Sequence, residues 1–402
     1  MLEFARTRGL RVKAIGAGHS FTAIAATDDI QLDLSGLDGL YAVDGTRVTL
    51  GAGTNLYQLP ALLDPLGLAL TNMGDIDRQT LAGATSTGTH GTGSQYGGLA
   101  TQIVAVTLVT AAGELLHVNE TENAELLPAV RLGLGALGVL VELTIECVPS
   151  FKLSAVEKPE PLNEVLDTWI ERTEAADHFE FYWFPHTETA LTKTNTRLPV
   201  ETPSELQNPV ARWVDDQLMS NHVFSLTCAI GTAVPGMIRP INHLADRLVA
   251  ERSFVDLSHR VFVAPRTIRF REMEYALPIE HVPAALRAIS ELIESRGWRI
   301  SFPVEVRVTA ADENWMSTAH GRRSGYIAVH RYWREDPTEY FEGVEQIMTG
   351  FDGRPHWGKM HSRDAASLAQ TYPRFGDFRA ARDRLDPDRL FANPYLEQVL
   401  GA

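Results

Sequence analysis

The sequence predicts an α+β fold made of many short strands and fewer helices, and two observations support this class. Apolar and polar residues alternate with the period of half-buried strands over many short segments. Glycine, proline and polar turn residues separate these segments along the chain. The chain has 402 residues, of which 44% are hydrophobic and 22% are charged. This length and composition are typical of a globular protein with about two to three domains.

Residues 1–150 combine short strands with a few helices. The first residues are typical of the last turns of a helix that ends at Gly9. Residues 103–109 and 115–118 are expected to pair as a hairpin. The other predictions for this part are strands over 11–15, 30–34, 47–50 and 138–148 and helices over 56–63 and 122–132, the former weakened by Pro60.

From about residue 151 the pattern changes. Residues 179–184 form an aromatic strand, and the polar, proline-bearing residues 199–209 predict a loop. Asp386-Pro387-Asp388 predicts a turn that starts a helix in the last segment, 380–400. The other predictions are strands over 302–308 and 326–332 and helices over 282–295 and 340–349.

The charge and the cysteines limit the possible partners and location. The formal net charge is −15 at pH 7, which argues against nucleic acid and anionic membranes as main partners, because both attract positive surfaces. No apolar run approaches the roughly 18 residues of a transmembrane segment. Cys147 and Cys228 lie in apolar surroundings. Buried free thiols are favoured over a disulfide, which predicts a reducing, cytoplasmic location.

Two glycine-rich loops each carry one histidine. The first reads Gly16-Ala17-Gly18-His19-Ser20-Phe21, and the second spans residues 87–93, with His90 among glycines and threonines. Glycines let the backbone approach a ligand closely, and bare amide N–H groups can cradle phosphate oxygens. A histidine is not needed to hold phosphate. The loops therefore predict a large phosphorylated cofactor with His19 at its reactive end.

Residues 133–138, Gly-Leu-Gly-Ala-Leu-Gly, match the GxGxxG pattern of dinucleotide-binding proteins. That pattern needs a strand before it and a helix after it. Here the predicted order is helix and then strand, which disfavours a nicotinamide site. The turn is expected to pack a helix tightly against a strand, with contact to a cofactor left open.

Residues 304–308, Val-Glu-Val-Arg-Val, place Glu305 and Arg307 on one face of a strand, about 7 Å apart. The three valines point to the other face. An acid and a guanidinium on an otherwise apolar strand suggest the polar floor of a pocket. A surface ion pair on a half-exposed sheet fits the spacing equally well, so both interpretations stay open here.

The turn His356-Trp357-Gly358-Lys359 directs a histidine and a lysine towards one cavity or towards solvent, and the pattern alone favours solvent. His330 ends an apolar strand, where a histidine is usually a satisfied core residue. The motifs HExxH, GxxxxGK[ST] and GxSxG are absent. The histidines lack carboxylate neighbours at metal spacing in the sequence, which predicts no catalytic metal.

These motifs, in this order, resemble the sugar-1,4-lactone oxidoreductases, which are flavoproteins of the vanillyl-alcohol-oxidase type. The resemblance rests on the loop 16–21, the run 81–93, residues 134–139, the strand 304–308 and the turn 356–359. It covers nearly the whole chain. Each motif alone is weakly specific, whereas their shared order is specific. L-gulonolactone and D-arabinonolactone oxidases and dehydrogenases belong to this group, and alditol oxidases share the same motifs.

The resemblance implies an FAD-binding domain of two α+β subdomains over residues 1–150. A substrate-binding cap domain with a large antiparallel sheet is expected over residues 151–379, and residues 380–402 are expected to return to the FAD domain. Similar proteins begin with a further strand and helix. The FAD-binding domain is therefore expected to be truncated at its N-terminus.

The resemblance also assigns roles to residues. His19 matches the histidine that is bonded to the 8α-methyl group of the isoalloxazine in covalent members. The expected catalytic residues on the substrate and flavin face are Glu305, Arg307, His330 and Lys359. The expected contacts to FAD are Gly16, Ala17, Gly18, His19, Ser20, Phe21, Gly83, Ala84, Thr89, His90, Gly91, Thr92, Gly97, Gly98, Leu99 and His356.

The implied reaction oxidises an aldono-1,4-lactone, such as L-gulono-1,4-lactone to the ascorbate precursor, by hydride transfer to FAD N5. Glu305 and His330 are the candidate acceptors of the hydroxyl proton, and Arg307 or Lys359 would stabilise negative charge near flavin N1. Oxygen or a redox carrier would be the electron acceptor. The alternatives are an alditol oxidase and, less favoured, a non-catalytic carbohydrate-binding protein that uses the aromatic strand 179–184.

Overall fold

The structure is a computed structural model of the chain and describes residues 1–206, 224–248, 250–264 and 268–402. Within these ranges the strands form four sheets, two of them large. A five-stranded sheet uses strands between residues 40 and 146, and an eight-stranded sheet uses strands between residues 151 and 355. The predicted α+β class with a large antiparallel sheet is confirmed.

The N-terminal strands form the smaller of the two large sheets and two short pairs. These strands are β1 (Val12–Ile15), β2 (Ile30–Asp33), β3 (Leu40–Asp44), β4 (Arg47–Gly51), β5 (Leu68–Ala69), β6 (Ile103–Val109), β7 (Leu115–Asn119), β8 (Val139–Glu146) and β9 (Val148–Pro149). The five-stranded sheet is antiparallel in the order β3-β4-β8-β6-β7, while β1 and β2 pair in parallel. The predicted strands and hairpin are confirmed. β3 has no counterpart among the predictions, because its residues are all exposed and show no alternation of burial.

The later strands form one antiparallel sheet. They are β10 (Phe151–Pro161), β11 (His178–Trp183), β12 (Thr189–Pro199), β13 (Arg252–Leu257), β14 (Phe270–Pro278), β15 (Val304–Thr309), β16 (Ser324–Tyr332) and β17 (Arg354–Pro355). Their order is β13-β10-β12-β11-β15-β16-β14-β17. β15 thus lies inside the sheet, between β11 and β16. Both faces of β15 are buried, which places its polar residues in the interior.

The helices are mostly short, and the longest two pack beside the large sheet. They are α1 (Leu2–Thr7), α2 (Leu59–Leu63), α3 (Leu81–Thr87), α4 (Leu127–Val130), α5 (Leu162–Asp167), α6 (Trp169–Ala175), α7 (Phe224–Ala233), α8 (Ile238–Leu248), α9 (Ser258–Phe262), α10 (Val282–Arg296), α11 (Thr338–Gly350), α12 (Ala365–Thr371), α13 (Phe375–Leu385) and α14 (Pro394–Leu400). α10 and α11 share a hydrophobic core with the large sheet. In the described part of the chain, no helix combines the length and the apolar character needed to cross a membrane.

A second hydrophobic core joins the two ends of the chain. It contains residues of the five-stranded sheet and α1 to α4 together with Phe378, Leu396 and Val399 from the C-terminal helices. The backbone N–H of Val12 on β1 donates to the carbonyl of Leu390 at 2.8 Å. The C-terminal segment therefore packs on the N-terminal part of the molecule.

The predicted helix start at Asp386-Pro387-Asp388 is wrong. α13 ends at Leu385, and the carboxylate of Asp386 accepts the N–H groups of Leu390 and Phe391 at 2.7 and 2.8 Å. The aspartate therefore closes a turn after one helix. The next helix, α14, begins at Pro394 with Asn393 as its N-cap.

Other predicted segments differ in extent. The helix over 122–132 is reduced to a 3₁₀ turn and α4, because Asn123 adopts a left-handed conformation (φ 50°) and Pro128 follows. The segment 56–63 divides into a 3₁₀ turn and α2, with Pro60 in the first turn of the helix. In the loop predicted over 199–209, residues 207–209 lie outside the described residues.

The loop predicted over residues 87–93 follows directly on the helix α3, which begins at Leu81. Thr80 caps α3 by accepting the N–H of Gly83 at 3.3 Å. The loop proper starts at Gly88. The turn at 133–138 lies between α4 and β8, so the predicted order of helix and then strand is confirmed.

Candidate active site

A large cavity of about 870 Å³ is lined by the N-terminal loops on one side and by the eight-stranded sheet on the other. Residues from β14, β15, β16 and the turn 356–359 face it. The predicted site residues that line it are His19, Ser20, Phe21, Thr89, His90, Glu305, Arg307, His330, His356 and Lys359. Motifs that are far apart in the sequence therefore meet in one cavity.

A small cavity of about 260 Å³ adjoins the large one. Residues 16–20, Gly83 and the turn around Gly135 line it. His19, Ser20, Gln79 and Thr87 line both cavities. The two cavities therefore meet at His19, the residue that the sequence placed at the reactive end of a cofactor.

Some predicted cofactor contacts line neither of these cavities. They are Ala84, Gly91, Thr92, Gly97, Gly98 and Leu99. Thr92 and Gly93 instead fasten the loop to the large sheet: the Thr92 hydroxyl donates to the Phe179 carbonyl and accepts the Val308 N–H, and the Gly93 N–H donates to the Val308 carbonyl at 2.8 Å. This part of the loop therefore links to strands β11 and β15 of the large sheet rather than to a cavity.

His19 lies on the exposed loop between the cavities. Burial of the ring lowers its pKa, and the nearby Lys359 and Arg78 lower it further, against a hydrogen bond with the Arg78 backbone. The imidazole is therefore neutral near pH 7. A neutral ring nitrogen is a requirement for any role as a nucleophile or tether.

Glu305 and Arg307 of β15 lie on the cavity floor. Both are 7% exposed, which excludes the surface ion pair that the spacing allowed. The Arg307 guanidinium contacts the Glu305 carboxylate, and its Nε donates to Glu180 Oε2 at 2.8 Å. Asp75 Oδ2 lies 3.5 Å from the same guanidinium. Although burial acts to lower it, these carboxylates raise the pKa of Arg307 well above its usual value.

Glu272 joins Lys359 and His330 on the other side of the cavity. Its carboxylate contacts the Lys359 ammonium, and its Oε1 lies 3.5 Å from His330 Nε2. Burial acts to raise the pKa of Glu272, but Lys359 and His330 outweigh it and hold the pKa well below its usual range. His330 Nδ1 donates to the Pro303 carbonyl at 3.0 Å, since a carbonyl can only accept. His330 Nε2 is thereby the nitrogen turned towards the cavity.

His90, Glu274 and His356 form a third buried group. Their nitrogen and oxygen atoms all lie within 4.8 Å of one another. The sequence shows no carboxylate near these histidines, but in the folded protein Glu274 lies beside both of them. Glu274 is on β14, whereas His90 and His356 are on two loops that are far apart in the sequence. His356 Nδ1 accepts the Gly358 N–H at 3.1 Å, and burial lowers the pKa of His356 to about 4. The neutral ring thus carries its proton on Nε2. The absence of a metal stays a prediction.

Sequence reasoning missed several charged residues of this site. Glu272 and Glu274 alternate with Met273 and Tyr275 on β14, and all four are buried. This is the same alternation that singled out Glu305 and Arg307, so the period-two pattern could have found them. Asp75 carries no such signal, because it lies on an irregular segment.

The aromatic strand offers no carbohydrate-binding surface. Phe179, Phe181 and Trp183 are at most 2% exposed and belong to the core of the large sheet. Tyr182 points the other way, and its hydroxyl donates to Glu305 at 3.1 Å. The feature on which the non-catalytic alternative depended is therefore part of the core, and Tyr182 supports the charged residues of β15.

Comparison with known proteins agrees with this geometry. Residues 1–119 match the family model described as FAD binding domain, and residues 143–399 match the model described as D-arabinono-1,4-lactone oxidase. The chain belongs to the D-arabinono-1,4-lactone oxidase family. It is an FAD-dependent oxidoreductase by family, as the resemblance implied.

Two relatives and one solved structure illustrate how far the likeness extends. This lactone oxidase family member is 41% identical over 401 residues to a Mycobacterium tuberculosis protein named L-gulono-1,4-lactone dehydrogenase, covering 99% of this chain and 92% of the relative. It is 37% identical over 410 residues to the L-gulonolactone oxidase of Scyliorhinus torazame, with the same coverages. Cholesterol oxidase from B. sterolicum superposes with a TM-score of 0.80 at 17% identity, covering 99% of this chain and 91% of that one. The last likeness shows the fold.

Proposed function

We propose that this protein oxidises an aldono-1,4-lactone, such as L-gulono-1,4-lactone, with bound FAD. The observation that carries the proposal is the meeting of two unlike cavities at His19. One is lined by the glycine loop 16–20 and by mostly uncharged residues, and the other bears buried acids, cations and histidines. The substrate class is supported by the names of the relatives, which act on sugar lactones.

The small cavity fits the diphosphate of FAD. The backbone N–H groups of residues 17–20 have no acceptor among the described residues. A Cβ atom added to Gly16 would lie 2.3 Å from Thr80 Oγ1, so the loop follows its path only with glycine there. Unpaired amides beside a glycine turn are suitable donors for anionic phosphate oxygens.

We propose further that His19 holds FAD covalently. Its place between the cavities and its lowered pKa support a neutral, nucleophilic ring. Acid precipitation tests this: the yellow colour should stay with the precipitated wild-type protein and enter the supernatant for His19→Ala. Yellow colour released from fully active wild-type protein would contradict the covalent bond.

His330 is the proton acceptor that the contacts favour. FAD, when bound, supplies the hydride acceptor for the carbinol carbon. The hydroxyl proton needs a base within hydrogen-bond reach, and His330 Nε2 faces the cavity while Nδ1 is fixed on Pro303. Glu272 stabilises the positive charge that the ring gains. Glu305 is already paired with Arg307 and accepts from Tyr182, which makes it the weaker base.

Arg307 and Lys359 supply the fixed positive charge of the cavity. Arg307 is held in one orientation by three carboxylates, so its donor fork is suited to the hydroxyl groups of a sugar lactone. Lys359 contacts Glu272 and lies 5.4 Å from the ring centroid of Phe21, on the loop that carries His19. We assign Lys359 to charge stabilisation on the cofactor side.

Anaerobic mixing of the purified protein with L-gulono-1,4-lactone tests the proposal. The visible flavin bands should bleach, and they should bleach more slowly with an open-chain polyol. Recovery on admitting air would identify an oxidase, and recovery only with a dye or cytochrome would identify a dehydrogenase. A protein without flavin bands, or one bleached only by the polyol, would contradict the proposed function.

The domain boundaries and the location remain proposals as well. We propose an FAD-binding domain over 1–150, a cap domain over 151–379 and a returning segment over 380–402. The packing of Leu396 and Val399 in the core of the N-terminal sheet supports the return of the last segment. Cys147 and Cys228 are both free and buried, as predicted, which supports a reducing compartment such as the cytoplasm.

A further inference from the structure

One charged side chain in the small cavity has no place in the function described so far. Among the described residues that line this cavity, Lys13 is the only lysine, arginine or carboxylic acid. It lies on β1, shortly before the glycine loop, and is 1% exposed. A lysine so fully buried is uncommon unless it is paired.

The contacts of Lys13 leave its charge without a counter-ion in the described structure. Its Nζ donates to the carbonyls of Gly135 and Phe391 at 3.0 and 3.1 Å. Asp386 acts on it only at a distance, since that carboxylate accepts the N–H groups of Leu390 and Phe391. An ammonium group has three donors, and the contacts with Gly135 and Phe391 use two of them.

We propose that Lys13 binds the diphosphate of the cofactor, with two of its N–H groups anchored on backbone carbonyls and the third directed to the anion. This inference rests on the proposed function, because it assumes that FAD occupies the small cavity. A charge-assisted hydrogen bond to phosphate in a buried site is stronger than a neutral one. The backbone amides of residues 17–20 would provide the remaining donors.

The proposal explains the turn at 133–138, which resembled a nicotinamide site in reversed order. Gly135 has a positive φ of 62°, and a Cβ atom there would lie 3.4 Å from Lys13 Nζ. In a nicotinamide site the corresponding turn would place the N-terminus of a helix against a phosphate. Here the turn instead provides the Gly135 carbonyl that accepts from Lys13. Through Lys13, this turn and the C-terminal segment at Phe391 are both linked to the cofactor cavity.

A bound anion should change the protonation of Lys13. Burial lowers the pKa of Lys13 to about 7, and Asp386 offsets only part of this effect. A nearby diphosphate favours the charged form and raises the pKa again. Binding should therefore take up a proton at pH 8, and affinity should fall as pH rises from 7 to 9.

Calorimetry on the full chain, produced without flavin in a riboflavin auxotroph, tests this proposal. ADP and adenosine serve as probes because neither can react with His19 and only ADP carries the diphosphate. We expect wild-type protein to bind ADP with proton uptake at pH 8, seen as a heat that differs between buffers of different ionisation enthalpy. Lys13→Met should weaken ADP binding about 10- to 100-fold, leave adenosine binding unchanged and abolish the uptake. Lys13→Arg should retain ADP binding without proton uptake.

Asn393→Ala is the matched control. Asn393 Nδ2 donates to the carbonyls of Ala23, Ile24 and Ala26, so its loss loosens the same C-terminal junction without changing charge. If Lys13→Met weakens ADP and adenosine equally, as a loosened junction does, Lys13 is only a structural link and the proposal is wrong. Wild-type ADP binding without proton uptake would also overturn it, even if Lys13→Met fails to fold. The proposed function is tested separately by the visible flavin bands of wild-type protein produced with flavin available.

Discussion

The two cavities that meet at His19 are lined by different kinds of groups. The large cavity takes its chemistry from side chains at alternate positions of two strands, Glu272 and Glu274 on β14 and Glu305 and Arg307 on β15. The small cavity presents the loop 16–20, a single lysine and otherwise uncharged polar, small or apolar residues. Strands inside a sheet fix the direction of a side chain, whereas a glycine loop exposes amides whatever its other residues are.

The contrast determines which substitutions each cavity tolerates. In the large cavity every buried carboxylate described above has a cationic or histidine partner, so removing a partner leaves a buried charge with weaker compensation. In the small cavity there is no carboxylate to remove, but a Cβ atom added at Gly16 or Gly138 would lie 2.3 Å from a neighbouring side chain. Deletions should therefore damage the large cavity, and additions should damage the small one.

His330→Gln should have the largest effect on the reaction. Without the cavity-facing nitrogen there is no base for the hydroxyl proton, and general base catalysis contributes roughly 10²- to 10⁴-fold. We expect kcat to fall by this order. Steady-state kinetics with L-gulono-1,4-lactone measure the change.

Glu305→Gln separates the two candidate bases. It should lower kcat less than His330→Gln does, because the proposed base is still present. A larger loss of kcat in Glu305→Gln than in His330→Gln would transfer the role of base to Glu305.

Arg307→Ala should lower kcat by roughly tenfold to a thousandfold, as the loss of a charge-stabilising donor does. It also leaves Glu180 and Glu305 without their main partner, which should lower the melting temperature. Kinetics and thermal unfolding measure the two effects. Arg323→Ala is the control, since Arg323 pairs with Glu174 on the surface and should change neither. An Arg307→Ala enzyme with wild-type kcat would show that the cavity floor is structural.

Gly16→Ala tests the small cavity by addition. The new methyl group would lie 2.3 Å from Thr80 Oγ1, the atom that caps α3. The loop or Thr80 must move to avoid this contact. We expect the shift to destabilise the FAD-loaded protein by about 1–3 kcal/mol and to lower its flavin content, measured by absorbance per polypeptide. Gly36→Ala is the control because a Cβ there meets nothing within 4 Å. Equal flavin content in both variants would mean that loop 16–20 is not shaped for the cofactor.

The same contrast explains how much could be predicted from the sequence. Strand alternation revealed Glu305 and Arg307, and glycine density revealed the loop around His19, because both signals are local. Asp75, Glu180 and Lys13 join the site only through tertiary contacts. Lys13 in particular reads as an ordinary strand residue, and nothing local shows that Gly135 and Phe391 will enclose it. Asp386 failed as a helix start for a similar reason, since its carboxylate serves a turn that packs on β1.

The junction between the loop after α3 and the large sheet should make stability depend on pH without involving either cavity. His178 is fully buried there, and its Nδ1 donates to the Thr92 carbonyl at 2.7 Å while its Nε2 accepts from Arg197 at 3.3 Å. This arrangement requires a neutral ring, and burial lowers the pKa of His178 to about 4. Between pH 6.5 and 4 the unfolded chain binds a proton that the native protein does not. The stability that His178 contributes is thus complete above pH 6.5 and decreases as pH falls towards 4, by up to about 3 kcal/mol.

His178→Gln should flatten this dependence, so that the melting temperature falls less between pH 7 and pH 4.5 than in the wild type. His117→Gln, on the exposed strand β7, is the control and should retain the wild-type slope. If His178→Gln keeps the full slope, the acid sensitivity between pH 7 and 4.5 comes from another buried histidine. His356, whose pKa burial lowers to about 4, would then be the next residue to replace, because its contribution is lost over the same range of pH as that of His178.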